Sequence, residues 1–421
     1  MPDKAARRPM RNIRRTMLAL PQAGNAPGGA PRQCVYRAVR RACYASFVAS
    51  TKDRVLTSDI NATANLFLPL SVLLAFYSGF RLPNLWSVNY YIPSVFEGFY
   101  RRSLVGTLLY PFGAARFNYY FIGAIQAAVL LALLYLLVRR ALRDELAIKA
   151  LVLMFFLGPT GGYLFHEIGY VDQLLYLVLL GTLALRNATL GFLAMTASLF
   201  VHEMAAFTTI PLYLAHLVVG ERYRSAILHG VGLFAIFCLI YLFCQSAAPA
   251  DVDGLLRNIS QKANYAPRED YYEVFRQALT GPRQHNYFRP ALYYELGTAL
   301  LIAFLTAASF LRGRPSARDV AKALVVLGAC VSPLALGFFG WDAARWLFLS
   351  ICSSLVVLIV FGVAGSSRAV LLILFVLLVF ATQGRLEYFD DYRPRRLQFS
   401  PDVTGFLKND FPRMVRTIPD Q

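Results

Sequence analysis

The chain has 421 residues, of which 57% are hydrophobic, 14% aromatic and only 16% charged, with a mean hydropathy of +0.48. Soluble domains carry about 25% charged residues. An ordinary soluble enzyme is therefore excluded, as are disordered, fibrous and disulfide-framed chains, and apolar residues gathered in long blocks mark a polytopic membrane protein. The net charge of +18, from 42 Lys+Arg against 24 Asp+Glu, fits basic cytoplasmic loops beside anionic lipid. No nucleic-acid-binding module is recognisable. The six cysteines form no CxxC pair, which argues against a structural zinc site or a disulfide framework.

Residues 1–60 form a basic segment with 12 Lys/Arg and three Asp. No apolar core follows its early arginines, so no cleavable signal peptide is expected. Val35–Val48 reads either as a basic amphipathic helix on the membrane surface or as part of a disordered tail. Apolar blocks follow near 62–80, 118–138, 149–165, 170–185, 188–201, 204–219, 225–246, 291–311, 321–340, 346–363 and 368–382. They predict an all-α polytopic membrane protein with about 11 transmembrane helices in a domain covering 61–382. Several blocks are short, and those at 188–201 and 204–219 also fit broken helices meeting inside the protein. With the N-terminus cytoplasmic, 24 of the 42 Lys and Arg fall inside, the orientation that basic loops favour. The tail 383–421 is then extracytoplasmic.

Two outer loops are long, 81–117 and 247–290, and long loops carry function more often than short ones. In the first, Ile92–Phe112 reads as an amphipathic or re-entrant helix at the outer interface. Ionisable residues at a membrane are costly and so mark functional sites; here they collect at the outer ends of the blocks. Glu97, Arg101 and Arg102 lie in the first outer loop, where Glu97 and Arg101 have the spacing of a helical ion pair. His166, Glu167 and Asp172 lie at the next outer turn, and His202 and Glu203 at the one after. Asp342 and Arg345, three apart, fall on one face of a helix and can pair. The two His-Glu pairs sit 36 residues apart and neither is HExxH, which excludes zincin chemistry. Walker A, kinase, GxSxG and dinucleotide-binding motifs are absent.

The run Phe96-Glu-Gly-Phe-Tyr-Arg-Arg-Ser-Leu-Val-Gly106, with acidic and His residues at later outer turns, resembles the GT-C class of polytopic glycosyltransferases and the Wzy- and EpsG-type polysaccharide polymerases. The resemblance covers about residues 60–380 and is architectural. It implies an acid of the first outer loop as base or acceptor-orienting group, and basic residues on the phosphate of a polyprenyl-linked sugar. Those enzymes carry Asp in that loop. Here Glu97 is its only acid, so either Glu97 takes that place or the activity differs.

The function expected is transfer of a sugar from a polyprenyl-phosphate carrier to a glycan or lipid acceptor at the extracytoplasmic face, in envelope glycan assembly at a bacterial inner membrane. An enzyme on that face has no cytosolic ATP or nucleotide sugar to draw on. Glu97, Glu167 or Glu203 would be the base, aided by His166 or His202. Arg101, Arg102 and Arg345 would meet the phosphate, with Asp342 fixing Arg345 and Asp172 completing the substrate site. No cofactor is called for; a divalent metal is left open. The alternatives are a transporter or flippase of a lipid-linked or anionic substrate, and a non-catalytic scaffold with envelope-assembly partners.

Overall fold

The structure is a computed structural model that describes residues 59–98, 100–143, 145–185, 187–243, 249–276, 292–311, 314–338, 342–361 and 368–388. The chain divides at Ile60/Asn61 into two units, and nearly everything described belongs to the second. The amphipathic segment at Val35–Val48, and the tail beyond residue 388, lie outside the described residues.

Among the described residues every apolar block is helical, and no strand is present. Five helices are long and apolar enough to cross a membrane: α1 (Asp59–Gly79), α4 (Tyr119–Arg143), α10 (Tyr223–Phe243), Ala317–Phe338, which begins as α14 (Ala317–Val331) and closes in a 3-10 turn, and α15 (Ala343–Val360). A sixth crossing is available if α5 (Leu146–Leu157) and α6 (Pro159–His166), bent by 64° at Gly158, count as one. The remaining blocks give the shorter apolar helices α7 (Val171–Ala184), α8 (Ala188–Val201), α9 (Thr209–Val219), α13 (Tyr293–Ala308) and α16 (Arg368–Gln383). The chain is thus an integral membrane protein by the apolar character of its helices.

α15 is the central element. Leu, Ile, Val and Ser occupy all its sides, and every residue but Cys352 and Val360 is buried, as expected of a helix hydrophobic all round. It packs on α13 and α14 and touches α5 and α9. Small residues permit close approach: Ser350 donates to Cys330 O at 2.8 Å, and Ser353 meets the Tyr176 hydroxyl of α7 at 2.8 Å.

The helix expected over Ile92–Phe112 is not continuous. The loop instead holds α2 (Leu85–Asn89), α3 (Leu104–Leu109) and a 3-10 stretch over Tyr110–Phe117. Pro93 interrupts the first part, and Gly98 and Gly113 take positive φ of 154° and 55°, which glycine adopts at no steric cost. In the second long loop lie two helices, α11 (Pro249–Lys262) and α12 (Glu269–Arg276).

α1 and α6 meet at two glycines. A Cβ on Gly79 would stand 1.7 Å from the carbonyl oxygen of Gly162, so neither backbone can yield without moving a helix. Gly79→Ala is expected to cost about 1–3 kcal/mol, read as a lowered thermal midpoint in detergent. An unchanged midpoint would mean that the two helices are not packed backbone to backbone.

Candidate functional site

The site is assembled from chain segments at one end of the bundle. α6 stops at His166, and Glu167 caps it with φ −84°, ψ 28°. Gly169 turns the chain with φ +87°, pressed against Gln126 so closely that a Cβ would fall 2.5 Å from that side chain. Gln173 locks the turn by donating to Leu164 O at 2.9 Å and Glu167 O at 3.1 Å. α7 then opens with Asp172 in its first turn, where a negative charge is favoured by the helix dipole. α15 opens on Asp342, whose side chain accepts from the Arg345 N–H at 3.2 Å.

Arg345 donates from Nε to Asp172 Oδ2 at 2.7 Å, with both side chains under 10% exposed. The expected side-chain pairing of Arg345 with Asp342 does not form, because an Asp at the N-cap turns back onto the helix's own backbone. Arg81, just past α1, joins the group: Nε donates to His166 O at 3.0 Å and Nη2 lies 4.0 Å from Glu167 Oε1. His166 stacks on Tyr388 at 4.3 Å and stands 3.8 Å from Glu167. Two guanidiniums thus share this half of the site with three carboxylates, Glu167, Asp172 and Asp342. Neither oxygen of Glu167 has a hydrogen-bond partner, although the residue is only 3% exposed. Burial, and next the Asp342 carboxylate, push Glu167 up to about 8 from its ordinary 4.5, against the pull of Arg81 and Arg345. Burial raises Asp342 as well.

The other half has the opposite balance. Glu203 is gripped by Arg102 through both Nε and Nη2, and Arg101 approaches it at 3.9 Å. Two guanidiniums face one carboxylate. Arg102 has φ +63°, a left-handed conformation that costs a non-glycine residue about 1–3 kcal/mol; the grip on Glu203 holds it there. His202 accepts from the Met204 N–H at its Nδ1, 3.1 Å away. Burial first, and then Arg102, lower its pKa well below the usual imidazole range. The ring is therefore neutral with its proton on Nε2, and its 3.4 Å approach to Glu203 is not an ion pair.

An aromatic wall joins the halves. Tyr90 lies 5.8 Å beneath Arg102, 5.5 Å from His202 and 6.1 Å from Tyr170, whose ring in turn carries Arg345 at 4.5 Å. Trp86 and Tyr271 of α12 complete it, with Trp86 Nε1 donating to the Tyr90 hydroxyl at 3.0 Å. The second loop is tied down beside the wall: Tyr100 donates to Asp251 O at 3.2 Å, and the Asn264 side chain accepts from Tyr119 N at 2.8 Å.

The structure brings together His166, Glu167, Asp172, Asp342 and Arg345 in one half, and Arg101, Arg102, His202 and Glu203 in the other. Glu97 is drawn elsewhere: it pairs with Arg116, not Arg101. Its turn is not helical, so the i, i+4 spacing places nothing on a common face. Sequence reasoning missed Arg81, Arg116, Tyr90 and Tyr170. The two arginines carried the same signal as the others, a charge beside an apolar block; the tyrosines carried none that separates them from interfacial aromatics. Among the described residues no group of three or more His, Cys, Asp or Glu is placed to hold a metal ion.

No family model, curated protein or solved structure matches the chain.

Arg345→Met would leave Asp172 buried without its partner, which costs about 3–5 kcal/mol. Adding Asp172→Asn should recover part of that loss in a thermal unfolding assay, and no recovery would show that the two do not act as a pair. Glu167 has a folded-state pKa above its unfolded value, so the folded protein binds the extra proton between about 4.5 and about 8 and is most stable below that window. Stability falls as pH rises through it, and Glu167→Gln flattens this slope. An identical slope in the variant would place the titration elsewhere.

Proposed function

We propose that the chain is an integral-membrane glycosyltransferase or polysaccharide polymerase that takes its sugar from a polyprenyl-phosphate carrier at the extracytoplasmic face of a bacterial inner membrane, in envelope glycan assembly. All eleven apolar helical runs, the bent α5–α6 pair counted once, would cross. The N-terminal segment lies inside, and the ends that carry the site lie outside. The first outer loop would rest on the membrane interface through its exposed Phe96, Leu108 and Phe112.

The observation that carries the reading is the division of charge. One half holds a buried carboxylate, Glu167, with no hydrogen-bond partner on either oxygen; the other gathers two guanidiniums, Arg101 and Arg102, on Glu203. Glycosyl transfer needs both. A base must take a proton from the acceptor hydroxyl, and cations must meet the phosphate as it leaves. In the proposed step Glu167 accepts the hydroxyl proton, and the acceptor oxygen bonds to the sugar's anomeric carbon. The carbon–oxygen bond to the phosphate breaks with its electron pair going to the phosphate. A pKa near neutrality suits Glu167 to that task. Arg101 and Arg102 neutralise the phosphate, since planar guanidinium forks match its oxygens, and Glu203 holds them in place. His202, neutral, offers its Nε2–H beside them. Arg81 and Arg345 position the base.

Proton-coupled transport is the weaker reading, because transporters keep such groups near the bilayer midplane at broken helices, whereas here they gather at helix ends. In proteoliposomes supplied with a panel of polyprenyl-phosphate sugars, Glu167→Gln should lower kcat about 10²–10⁴-fold. Glu221→Gln, which removes a salt bridge to Lys322 near the opposite helix ends, should leave it unchanged. Undiminished transfer in Glu167→Gln would sink the assignment of the base.

A further inference from the structure

At the opposite end of the bundle from the site, one buried cation lacks a counter-charge. Lys149 lies in the first turn of α5 and is only 6% exposed. A lysine at a membrane edge ordinarily runs its ammonium out to water along its apolar stem. This one turns onto α1, where Nζ donates to Asn65 Oδ1 at 2.8 Å. Among the described residues no carboxylate comes within ion-pair distance of it, and Glu145, exposed one turn earlier on α5, does not reach it. A charge withdrawn from water is costly unless it is paired. The positive end of the α5 dipole adds to that cost. A partner of negative charge is therefore what this position calls for.

The hydrogen-bonding character here is one-sided. An ammonium has three donors and no acceptor, and Lys149 gives one of them to Asn65. Asn65 uses its carbonyl oxygen in that bond, so its amide NH2 is left as two further donors. Asn65 is exposed on α1 beside Leu66, Phe67 and Leu70, which are exposed as well. Those side chains are apolar, and hydrocarbon around them accepts no hydrogen bond. Because Asn65 is exposed, a headgroup that meets its amide reaches the ammonium next to it without displacing a helix. The surroundings are basic: α4 ends on the exposed Arg139, Arg140 and Arg143, three residues before α5 begins.

We propose that Lys149 and Asn65 form a seat for the phosphate of an anionic phospholipid. The phosphodiester oxygens accept from the Lys149 ammonium and the Asn65 amide, and the acyl chains lie along the exposed apolar side of α1. An acceptor group with net negative charge satisfies both residues. A zwitterionic headgroup would bring a cation of its own against Lys149 and the arginines. Basic pockets between helices at the cytoplasmic side hold anionic headgroups in this way, and this is the cytoplasmic end in the orientation proposed above. The seat uses none of the residues of the transferase site and stands or falls apart from that reading.

The test uses the full chain in phosphatidylcholine nanodiscs that carry a small fraction of phosphatidylglycerol with a diazirine in its headgroup. Irradiation is expected to place adducts on residues 62–69 and 146–153, and untagged phosphatidylglycerol should compete them away where added phosphatidylcholine does not. Lys149→Met should lower their yield about tenfold, the weight of one charge-assisted hydrogen bond. Lys149→Arg should keep most of it, and Asn65→Leu should lower it by a smaller factor. Arg224→Gln removes an exposed charge from the first turn of α10 at the same end and should leave the yield unchanged. The competition is read on the wild-type protein, so it decides even if Lys149→Met does not fold. Equal competition by the two lipids, an equal loss in Arg224→Gln, or adducts spread evenly over the lipid-facing helices would reduce the contact to the general basicity of this end and overturn the seat. Full yield in a folded Lys149→Met would overturn it as well. Removal of the adducts by inorganic phosphate would assign the two residues to a dissolved anion and not to a lipid. None of these readouts depends on sugar transfer.

Discussion

A carboxylate and a guanidinium placed where water cannot reach them must be matched to each other, because each alone carries a desolvation cost of several kcal/mol. The pair Arg345–Asp172 meets that condition at 2.7 Å, and the arrangement of the site depends on it. Arg345 belongs to the first turn of α15, the most buried of the five helices long enough to cross, and Asp172 to the first turn of α7. Joining them fixes the register of one helix against the other. Tyr176 reinforces that register one turn further in, through Leu349 O and Ser353.

Once that pair is formed, the remaining charges fall into two unequal groups. Around Arg345 and Arg81 there is one carboxylate too many, and the surplus rests on Glu167, whose proton becomes harder to lose. Around Glu203 gather the guanidiniums of Arg101 and Arg102. Tyr90 and Tyr170 lie between the groups and present ring faces to a cation on either side, a contact worth about 0.5–2 kcal/mol. The left-handed backbone at Arg102 has the same electrostatic origin: the residue is held in a strained conformation by the acid it faces. A site with a proton acceptor at one side and two guanidiniums gathered on Glu203 at the other is suited to breaking a bond to an anionic leaving group.

Much of this is legible in the order of the residues. Each apolar block is a helix, since a run of apolar residues in a chain this poor in charge has no other way to satisfy its backbone in lipid. The residues that gather are also visible as charges at the ends of the blocks. Their partners are not. Glu97 has the spacing to reach Arg101, yet the turn at Gly98 sends it to Arg116. Asp342 has the spacing to reach the Arg345 guanidinium, yet it caps the helix and leaves that guanidinium to Asp172, 173 residues away. Ile92–Phe112 has the composition of an amphipathic helix, but Pro93, Gly98 and Gly113 divide it.

Sequence alone therefore determined the helical, membrane-embedded class of the protein and most of the acidic and His residues that meet at one end of its bundle. Both follow from local quantities, hydrophobicity and charge along the chain, that need no knowledge of neighbours. Only the tertiary structure decided which acid meets which arginine, and that Glu167 is left without a hydrogen bond. Those are differences between contacts of residues far apart in the chain. In a low-dielectric interior an ångström or two separates a satisfied ion pair from an unsatisfied one, and no spacing in the sequence records that distance.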